Sequence, residues 1–198
     1  MATGKFIVFE GPDGSGQTTQ VNLLKEALEK KGLDVVATKE PTENSPVSRK
    51  IHSILKHEIE SSPQKLQELF VEDRRHHVQN FILPNLEKSK IVISDRYFLS
   101  TLAYGSLSCD LGWLTTLNQN FPNPNITFIL DVNPEICIER IIKRGKAAQF
   151  FETKKKLTRI MENYRNLAPK FKNTRLINGE GSIKEVHQKI VEIVSKIL

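Results

Sequence analysis

Several features that would assign a chain to a membrane, secreted or metal-cluster class are missing from this 198-residue sequence. It has no run of about 18 apolar residues, so no segment is expected to span a membrane. The N-terminus, MATGKFIVFEG, lacks the basic segment, apolar stretch and cleavage site of a signal peptide, which favours a cytoplasmic location. The two cysteines, Cys109 and Cys137, are too few for a disulfide framework, and we expect reduced, packed thiols.

The sequence also lacks internal repeats, low-complexity tracts and any linker that would divide it, so we expect a single domain. Its net charge is +6 at pH 7 and its isoelectric point about 9.3, which indicates partners of negative charge. The basic residues are spread out, and aromatic residues do not alternate with them. This distribution favours phosphate-bearing substrates over a DNA or RNA surface, although a nucleic-acid binder stays open on the isoelectric point alone.

Short segments that are nearly all apolar and rich in β-forming residues predict strands. They are Lys5–Glu10, Asp34–Lys39, Lys90–Asp95, Ile126–Asp131 and Thr174–Asn178. Helical patterns separate these segments, as in a parallel sheet covered on both faces. The sequence therefore predicts an α/β, doubly wound fold with a five-stranded parallel sheet, helices on both faces and ligands at the carboxyl ends of the strands.

Two helical segments carry further expectations. Residues 63–88 should form a long helical region that is interrupted or kinked at Pro84. The last helix should carry its apolar residues on one side. That side is formed by Ile183, Val186, Ile190, Ile193 and Ile197.

The segment GPDGSGQT, from Gly11 to Thr18, lies between the first predicted strand and the first predicted helix. Its glycines let the backbone turn tightly and point N–H groups inward, and the following helix adds its positive end. Thr18 occupies the position whose hydroxyl ligates magnesium in phosphate-binding loops. Since a strand before and a helix after are the context that this motif requires, we expect a phosphate site here.

Gln17 stands where a phosphate-binding loop has its lysine. The lysine ammonium would bridge the terminal phosphates and stabilise the charge that moves with the phosphoryl group, whereas the glutamine amide is neutral. A hydrogen bond to a charged group is worth about 1.5–3 kcal/mol, so its loss corresponds to about a tenfold to hundredfold slower turnover. The backbone cradle does not depend on this side chain, and binding should survive.

Several separated motifs resemble those of the thymidylate kinases, P-loop enzymes that move the γ-phosphate of ATP onto dTMP. The resemblance covers almost the whole chain and implies a P-loop NTPase three-layer fold, with one thymidylate kinase-like domain over residues 1–198 and the P-loop at 11–18. GPDGSGQTTQ is similar to the family's G-x-D-G-S-G-K-T-T-Q apart from the lysine. By that match Asp13 contacts the sugar 3′-hydroxyl and the phosphate region. The implied ATP-binding residues are Gly11, Pro12, Asp13, Gly14, Ser15, Gly16, Gln17, Thr18, Thr19 and Arg140.

KEPT, from Lys39 to Thr42, is similar to the family's R-E-P segment. The resemblance implies that Lys39 faces the acceptor phosphate, without the forked geometry of arginine, and that Pro41 helps to wall the base pocket.

ELFVEDRRHHV, residues 68–78, resembles the family's L-F-x-x-D-R-x-x-H helix. By that match Phe70 stacks on the thymine and Arg74 donates to a base carbonyl. Without the family, Phe70 would be interpreted as a core residue. His76 and His77 have no assigned role, and we expect them at the surface.

SDRYFLSTLAY, residues 94–104, is similar to the family's D-R-Y/H-x-x-S-x-x-A-Y signature. It implies that Asp95 is a magnesium-associated carboxylate and that Arg96 holds the acceptor phosphate. Ser100 and Thr101 would approach the base, and Tyr104 would crowd the 2′ position. Gly105 replaces a frequent glutamine, which leaves base selectivity open. The implied dTMP-binding residues are Asp13, Lys39, Pro41, Phe70, Arg74, Arg96, Ser100, Thr101 and Tyr104.

Residues from about 140 to 152 resemble the family's lid, which closes over ATP. Arg140, Lys143, Arg144 and Lys146 are its cations in this sequence, while Gln149 stands where many members have an arginine. The resemblance implies that Arg140, Lys143 or Arg144 reaches the transferring group when the lid closes. It also implies that residues 177–186 border the adenine.

The implied reaction is in-line transfer from ATP and Mg²⁺ to the 5′-phosphate of dTMP, by a homodimer with no nucleic-acid or membrane partner. The implied catalytic residues are Asp13, Arg96, Lys143 and Arg144. Our hypothesis is that the lid cations, with Arg96, supply the charge that Gln17 lacks. A kinase of broader range, accepting dUMP or other nucleoside monophosphates, and a catalytically weak nucleotide-binding protein with a regulatory or scaffolding role both remain open.

Overall fold

The computed structural model describes residues 4–43, 45–145 and 150–198, without the side chains of residues 150–153. Within these ranges the strands form one sheet, and each of its strand pairs is parallel. The strands are β1 (Lys5–Glu10), β2 (Val35–Lys39), β3 (Ile91–Asp95), β4 (Ile126–Asp131) and β5 (Thr174–Asn178). Their order across the sheet is β2-β3-β1-β4-β5. The predicted fold class and the five predicted strands are confirmed.

A helix follows each strand, and several helices begin at a residue whose side chain caps the N-terminus. They are α1 (Gln17–Glu29), α2 (Pro46–Leu55), α3 (Pro63–His77), α4 (Leu83–Glu87), α5 (Phe98–Gly105), α6 (Leu111–Asn118), α7 (Pro134–Lys143), α8 (Phe150–Leu167) and α9 (Ile183–Val194). The Ser62 side chain accepts from the Lys65 N–H at the start of α3, and Ser182 and Glu185 form a reciprocal capping box at the start of α9.

The side chains of β1 alternate between two hydrophobic cores, one on each face of the sheet. Phe6 and Val8 belong to the core under α5, α7 and α8, whereas Ile7 and Phe9 belong to the core under α1 and α9. This alternation is the period of two that a strand imposes on its side chains. Because both faces are covered, ligands can reach the sheet only at the ends of its strands.

The helical region of residues 63–88 is interrupted as predicted, but the irregular turn precedes Pro84. A π-helical turn, Val78–Ile82, joins α3 to α4, and the Leu83 N–H donates to the Val78 carbonyl five residues earlier. Proline has no N–H for the carbonyl four residues before it, and its ring crowds that carbonyl. The wider turn accommodates the ring without ending the helical path.

The last helix packs on the sheet through most of its apolar side. Val186, Ile190 and Val194 are buried, and Ile193 and Ile197 pack partly against the same core. Ile183, at the start of the same side, is 61% exposed. Ile183 is the first residue of α9, and only the later turns of this helix pack against the sheet.

Both cysteines are free, with Cys137 buried and Cys109 partly buried, which confirms the packed-thiol prediction. Burial raises the pKa of the Cys137 thiol to about 12. Among the described residues no helix combines the length and the apolarity that crossing a bilayer would require.

Candidate active site

The glycine-rich loop turns sharply between β1 and α1. Gly16, the N-cap of α1, has φ 101°, a left-handed conformation that side-chain-bearing residues adopt only at a cost. A Cβ on Gly14 would lie 2.4 Å from the Cys137 carbonyl oxygen, so only glycine allows the loop to approach α7 this closely. The loop is therefore shaped by backbone requirements, with the N-terminus of α1 directly behind it.

Gln17 is turned back beneath the loop. Its side chain is buried, and its Nε2 donates to the Phe9 carbonyl at 3.4 Å, a long hydrogen bond. The Ser15 hydroxyl is also buried and has no hydrogen-bond partner within the described ranges. Since residues 11–18 contain no lysine or arginine, the loop contributes no cationic side chain of its own.

Thr18 and Asp95 meet at the carboxyl end of the sheet. The Thr18 Oγ1 donates to Asp95 Oδ2 at 2.5 Å. Asp95 ends β3, where it lies in register with Phe9 of β1 and Lys39 of β2. A hydroxyl and a carboxylate side by side suit Mg²⁺, which takes oxygen ligands and binds through one or two carboxylates, water and substrate phosphates.

Arg96 connects the end of β3 to the loop. Its Nη2 donates to Asp13 Oδ1 at 2.7 Å, and its Nη1 donates to the Gly11 carbonyl at 2.9 Å and to Ser100 Oγ at 3.1 Å. The guanidinium lies 5.1 Å from the ring centre of Tyr104, whose hydroxyl accepts from the Asp13 N–H. Arg96 itself has φ 73°, a strained backbone for a residue with a side chain. The surrounding contacts fix this conformation.

Glu10 is a fully buried carboxyl group at the end of β1. It accepts hydrogen bonds from the Tyr97 and Ser100 N–H groups, from Ser100 Oγ at 2.5 Å and from the Tyr164 hydroxyl at 2.9 Å. Burial raises the pKa of Glu10 to about 7, against the hydrogen bond from Ser100 and the charge of Arg96, which lower it. Glu10 therefore holds the first turn of α5 and the residues that contact Arg96.

A cleft of about 430 Å³, here called the first cleft, opens between α3 and α5 at this end of the sheet. Eight of the residues expected to contact dTMP line it. They are Asp13, Pro41, Phe70, Arg74, Arg96, Ser100, Thr101 and Tyr104. The sequence motifs thus converge on one cavity, with Arg96 and Asp13 beside the loop. Phe70 is half-buried, and its ring is available to the cleft.

Arg74 is anchored within the protein beneath this cleft. Its Nε donates to Glu40 Oε2 at 2.7 Å, its Nη1 to Asn118 Oδ1, and its Nη2 to the Tyr97 carbonyl and to Thr101 Oγ1. The side chains of Arg74 and Glu40 are 2% and 4% exposed. Four of its five N–H donors are therefore engaged by the protein, which leaves one for a ligand.

His77 belongs to the same buried network, so the expectation that it lies at the surface was wrong. Its Nδ1 lies 3.0 Å from Glu40 Oε1, and its Nε2 lies 2.6 Å from Thr38 Oγ1. The π-helical turn and α3 bring it under β2, where a polar ring needs partners. His76 is exposed, as expected.

Lys39 lies outside the first cleft. It lines a second cleft of about 620 Å³, together with Thr18, Asp95 and His77, and its Nζ pairs with the Glu43 carboxylate. The acceptor-phosphate role expected for Lys39 stays a prediction that requires this exposed ion pair to open.

The start of the expected lid is a continuation of α7. Arg140 Nη1 donates to the Ser15 carbonyl at 3.2 Å and its Nη2 to the Gly179 carbonyl at 3.1 Å, so it ties α7 to the loop. Lys143 and Arg144 lie exposed at the end of the helix. Lys146 and Gln149 lie outside the described residues.

The sequence reasoning missed several residues that organise the site. Glu10, Glu40 and Asn118 receive or share the hydrogen bonds described above, and Gln67 lines the first cleft. Glu10 is the last residue of β1, and Glu40 directly follows β2. A charge at such a place is the signal that would have identified them.

A parallel sheet with a glycine-rich loop between β1 and α1, and an aspartate at the end of β3, defines the class of P-loop phosphotransferases. The family model described as thymidylate kinase matches residues 9–190. The chain is 40% identical to the probable thymidylate kinase of Pyrococcus horikoshii and 41% to that of Pyrococcus abyssi, with 96% of both chains covered in each case. It is 37% identical to the thymidylate kinase of Desulfotalea psychrophila, over 98% of this chain and 96% of the relative. The chain belongs to the thymidylate kinase family, whose members are nucleoside monophosphate kinases.

Proposed function

We propose that this chain transfers the γ-phosphate of ATP to the 5′-phosphate of dTMP. The observation that carries this proposal is the position of Arg96, which contacts the loop through Gly11 and Asp13 and also lines the first cleft. A cation at that junction would hold an acceptor phosphate next to a donor phosphate. Positioning and charge stabilisation account for most of the catalysis in such transfers.

The donor would lie on the loop, with its phosphates on the backbone of residues 11–16 and the N-terminus of α1. Thr18 and Asp95 would hold the magnesium ion, and Thr19 would lie in the first turn of α1 behind it. When bound, Mg²⁺ neutralises charge on the phosphate oxygens. Arg140 keeps α7 against the loop, so it would position the donor side of the site.

The acceptor would occupy the first cleft. Its volume of about 430 Å³ falls within the range of about 300–1,000 Å³ that small-molecule pockets have. Phe70 offers an aromatic face for a base, and Tyr104 lies next to Asp13, where the sugar would pass. No side chain need act as general base, because the acceptor phosphate is already an anion at pH 7.

Because Gln17 is neutral, the positive charge that the proposed reaction needs at the phosphates has to come from outside the loop. With no cation in the loop, Arg96 and Arg140 are cations that hydrogen bonds fix against it, and Lys143 and Arg144 are exposed at the end of α7. We infer that lid closure brings these side chains to the transferring group, where they replace the missing lysine charge.

A panel of nucleoside monophosphates in one coupled ADP-release assay tests the proposal. We expect dTMP to give the highest kcat/KM among dTMP, dUMP, dCMP, dAMP and dGMP. Similar values for several acceptors would support the broader-range kinase instead. ATP consumption that no acceptor raises above background would support the catalytically weak, regulatory alternative and overturn the proposal.

We also propose that the chain acts as a homodimer in the cytoplasm. The support is its membership of the family alone. Light scattering on purified protein should give twice the chain mass of 22.6 kDa, and a mass of one chain at assay concentration would contradict the dimer.

A further inference from the structure

We propose that Gln67 is a base-recognising residue, whose amide oxygen accepts the ring N–H of a uracil-class base. This inference rests on the proposed function and deepens it, because it names the group that would select thymine or uracil over cytosine. The amide lies on α3 and lines the first cleft, and no family motif described above includes it.

Gln67 shares one face of α3 with Phe70 and Arg74. The spacings of three and seven residues place these side chains along the same side of a helix, and all three line the first cleft. Gln67 is 7% exposed, and its Oε1 has no hydrogen-bond partner among the described residues. A buried amide oxygen without a donor is unfavourable, so a turn of the Gln67 amide that brings this oxygen to a ligand N–H group gains binding energy.

Gly105 on α5 provides the space in which this amide lies. A Cβ on Gly105 would lie 3.0 Å from both Cδ and Oε1 of Gln67, and 3.0 Å from Leu114 Cδ1. Any larger residue at this position would have to displace the amide. The Gln67 amide on α3 therefore fills the space that the lack of a side chain at Gly105 leaves open on α5.

The two polar groups of α3 in the cleft also have complementary chemistry. Arg74 can only donate, and the protein already engages four of its N–H groups, whereas the Gln67 oxygen accepts. Thymine and uracil present a ring N–H between two carbonyl oxygens, which matches an acceptor next to a donor. Cytosine has an unprotonated nitrogen at the same ring position and would face the Gln67 oxygen with a second acceptor.

Calorimetric titration of dTMP and dCMP into the wild-type protein and Gln67→Met tests this role. We expect Gln67→Met to weaken dTMP binding about fivefold to tenfold, the effect of one neutral hydrogen bond, and to strengthen dCMP binding, because it removes the opposed acceptor. Steady-state kinetics should show the loss in KM for dTMP, with kcat and KM for ATP within twofold. Gln64→Met is the matched control, because Gln64 is exposed on the same helix and should keep wild-type affinity.

A second ligand tests the wild-type chain directly, whether or not the variant folds. dTMP methylated at the ring nitrogen lacks the N–H, and we expect it to bind at least tenfold more weakly than dTMP. Equal affinity for the two ligands would overturn the proposal, as would a folded Gln67→Met protein with wild-type dTMP affinity and an unchanged ratio of dTMP to dCMP affinity.

The double variant Gln67→Ala with Gly105→Gln returns an amide to the same space from α5. We expect it to regain part of the preference for dTMP that Gln67→Ala loses, which a purely structural role for Gln67 would not produce. Because these titrations measure binding, they separate the two claims. Tight dTMP binding without phosphoryl transfer would overturn the proposed function and leave the role of Gln67 standing. Phosphorylation of dTMP, together with wild-type dTMP affinity in Gln67→Met, would support the proposed function and overturn the role of Gln67.

Discussion

Arg96 Nη2 lies 2.7 Å from Asp13 Oδ1, so the end of β3 is joined to the glycine-rich loop before any substrate binds. The same guanidinium donates to the Gly11 carbonyl. In the proposed reaction, an acceptor phosphate would meet a cation whose position is already fixed relative to the donor loop. Such preorganised charge stabilises a transition state without reorganisation at the moment of transfer.

Replacing Arg96 with lysine keeps the charge but removes the forked geometry. We expect Arg96→Lys to lower kcat/KM for dTMP about 100-fold, a change on the order of 3 kcal/mol, because a lysine cannot contact the loop and the phosphate together. Steady-state kinetics measure the effect. Arg175→Lys, on an exposed position of β5, is the matched control and should stay within twofold. A kcat/KM within threefold of wild type for Arg96→Lys would contradict the role.

The lid cations should affect turnover more than folding. We expect Lys143→Ala and Arg144→Ala each to lower kcat about tenfold, because each removes a charge that the transferring group would meet. Both side chains are exposed, so the midpoint of thermal unfolding should change little. Lys196→Ala, exposed near the C-terminus, controls for loss of a positive charge. Unchanged turnover in both lid variants would show that the lid does not compensate for Gln17.

A double-mutant cycle tests the compensation between the loop and the lid. We expect Gln17→Lys to raise kcat about tenfold, since it returns a cation to the loop, while Gln17→Met should not. The loss caused by Arg144→Ala should be smaller when Gln17→Lys is present, because the charge is then supplied twice. Changes in activation free energy that add within about 0.5 kcal/mol would mean that the two positions act independently.

Glu10 should make stability depend on pH. Its pKa is raised from 4.5 to about 7 by burial, so the folded chain keeps a proton that the unfolded chain loses. This contribution is fully present below pH 4.5 and is lost as the pH rises to about 7, a difference on the order of 3 kcal/mol. Glu10→Gln remains neutral, and its stability should vary less with pH across this interval. Denaturant midpoints measured against pH give the slopes.

Glu192→Gln, exposed on α9, serves as the control for Glu10→Gln and should keep the wild-type pH profile. If Glu10→Gln also kept that profile, the raised pKa of Glu10 would not be the source of the pH dependence.

Most of the fold could be predicted from the sequence because its signals are local. Apolar runs predicted the strands, and the glycines from Gly11 to Gly16 identified the loop, without information about the rest of the chain. The interruption near Pro84 followed from the missing N–H of proline. The shape of the interruption, a π-helical turn placed earlier, depends on how α3 and α4 pack and was not available from the residue alone.

The contacts of the buried polar residues were harder to predict from the sequence, since their partners are distant along the chain. Arg74 meets Glu40 across 34 positions, and Glu10 meets Tyr164 across 154. His77 looks like a surface residue in a polar segment, yet Glu40 and Thr38 make its burial possible. Sequence motifs could bring such residues to one end of the sheet, but the pairing of donors and acceptors emerges only in three dimensions.

Asp95 and Arg96 are neighbours at the end of β3, but they line different clefts, Asp95 with Thr18 and Arg96 with Asp13. Consecutive Cα atoms are about 3.8 Å apart, so the two clefts approach each other across one peptide unit. A bisubstrate ligand that joins a nucleoside to an adenosine through a chain of phosphates could therefore touch both residues with a short linker. Because its two halves would lose their translational freedom only once, such a ligand should bind far more tightly than either half.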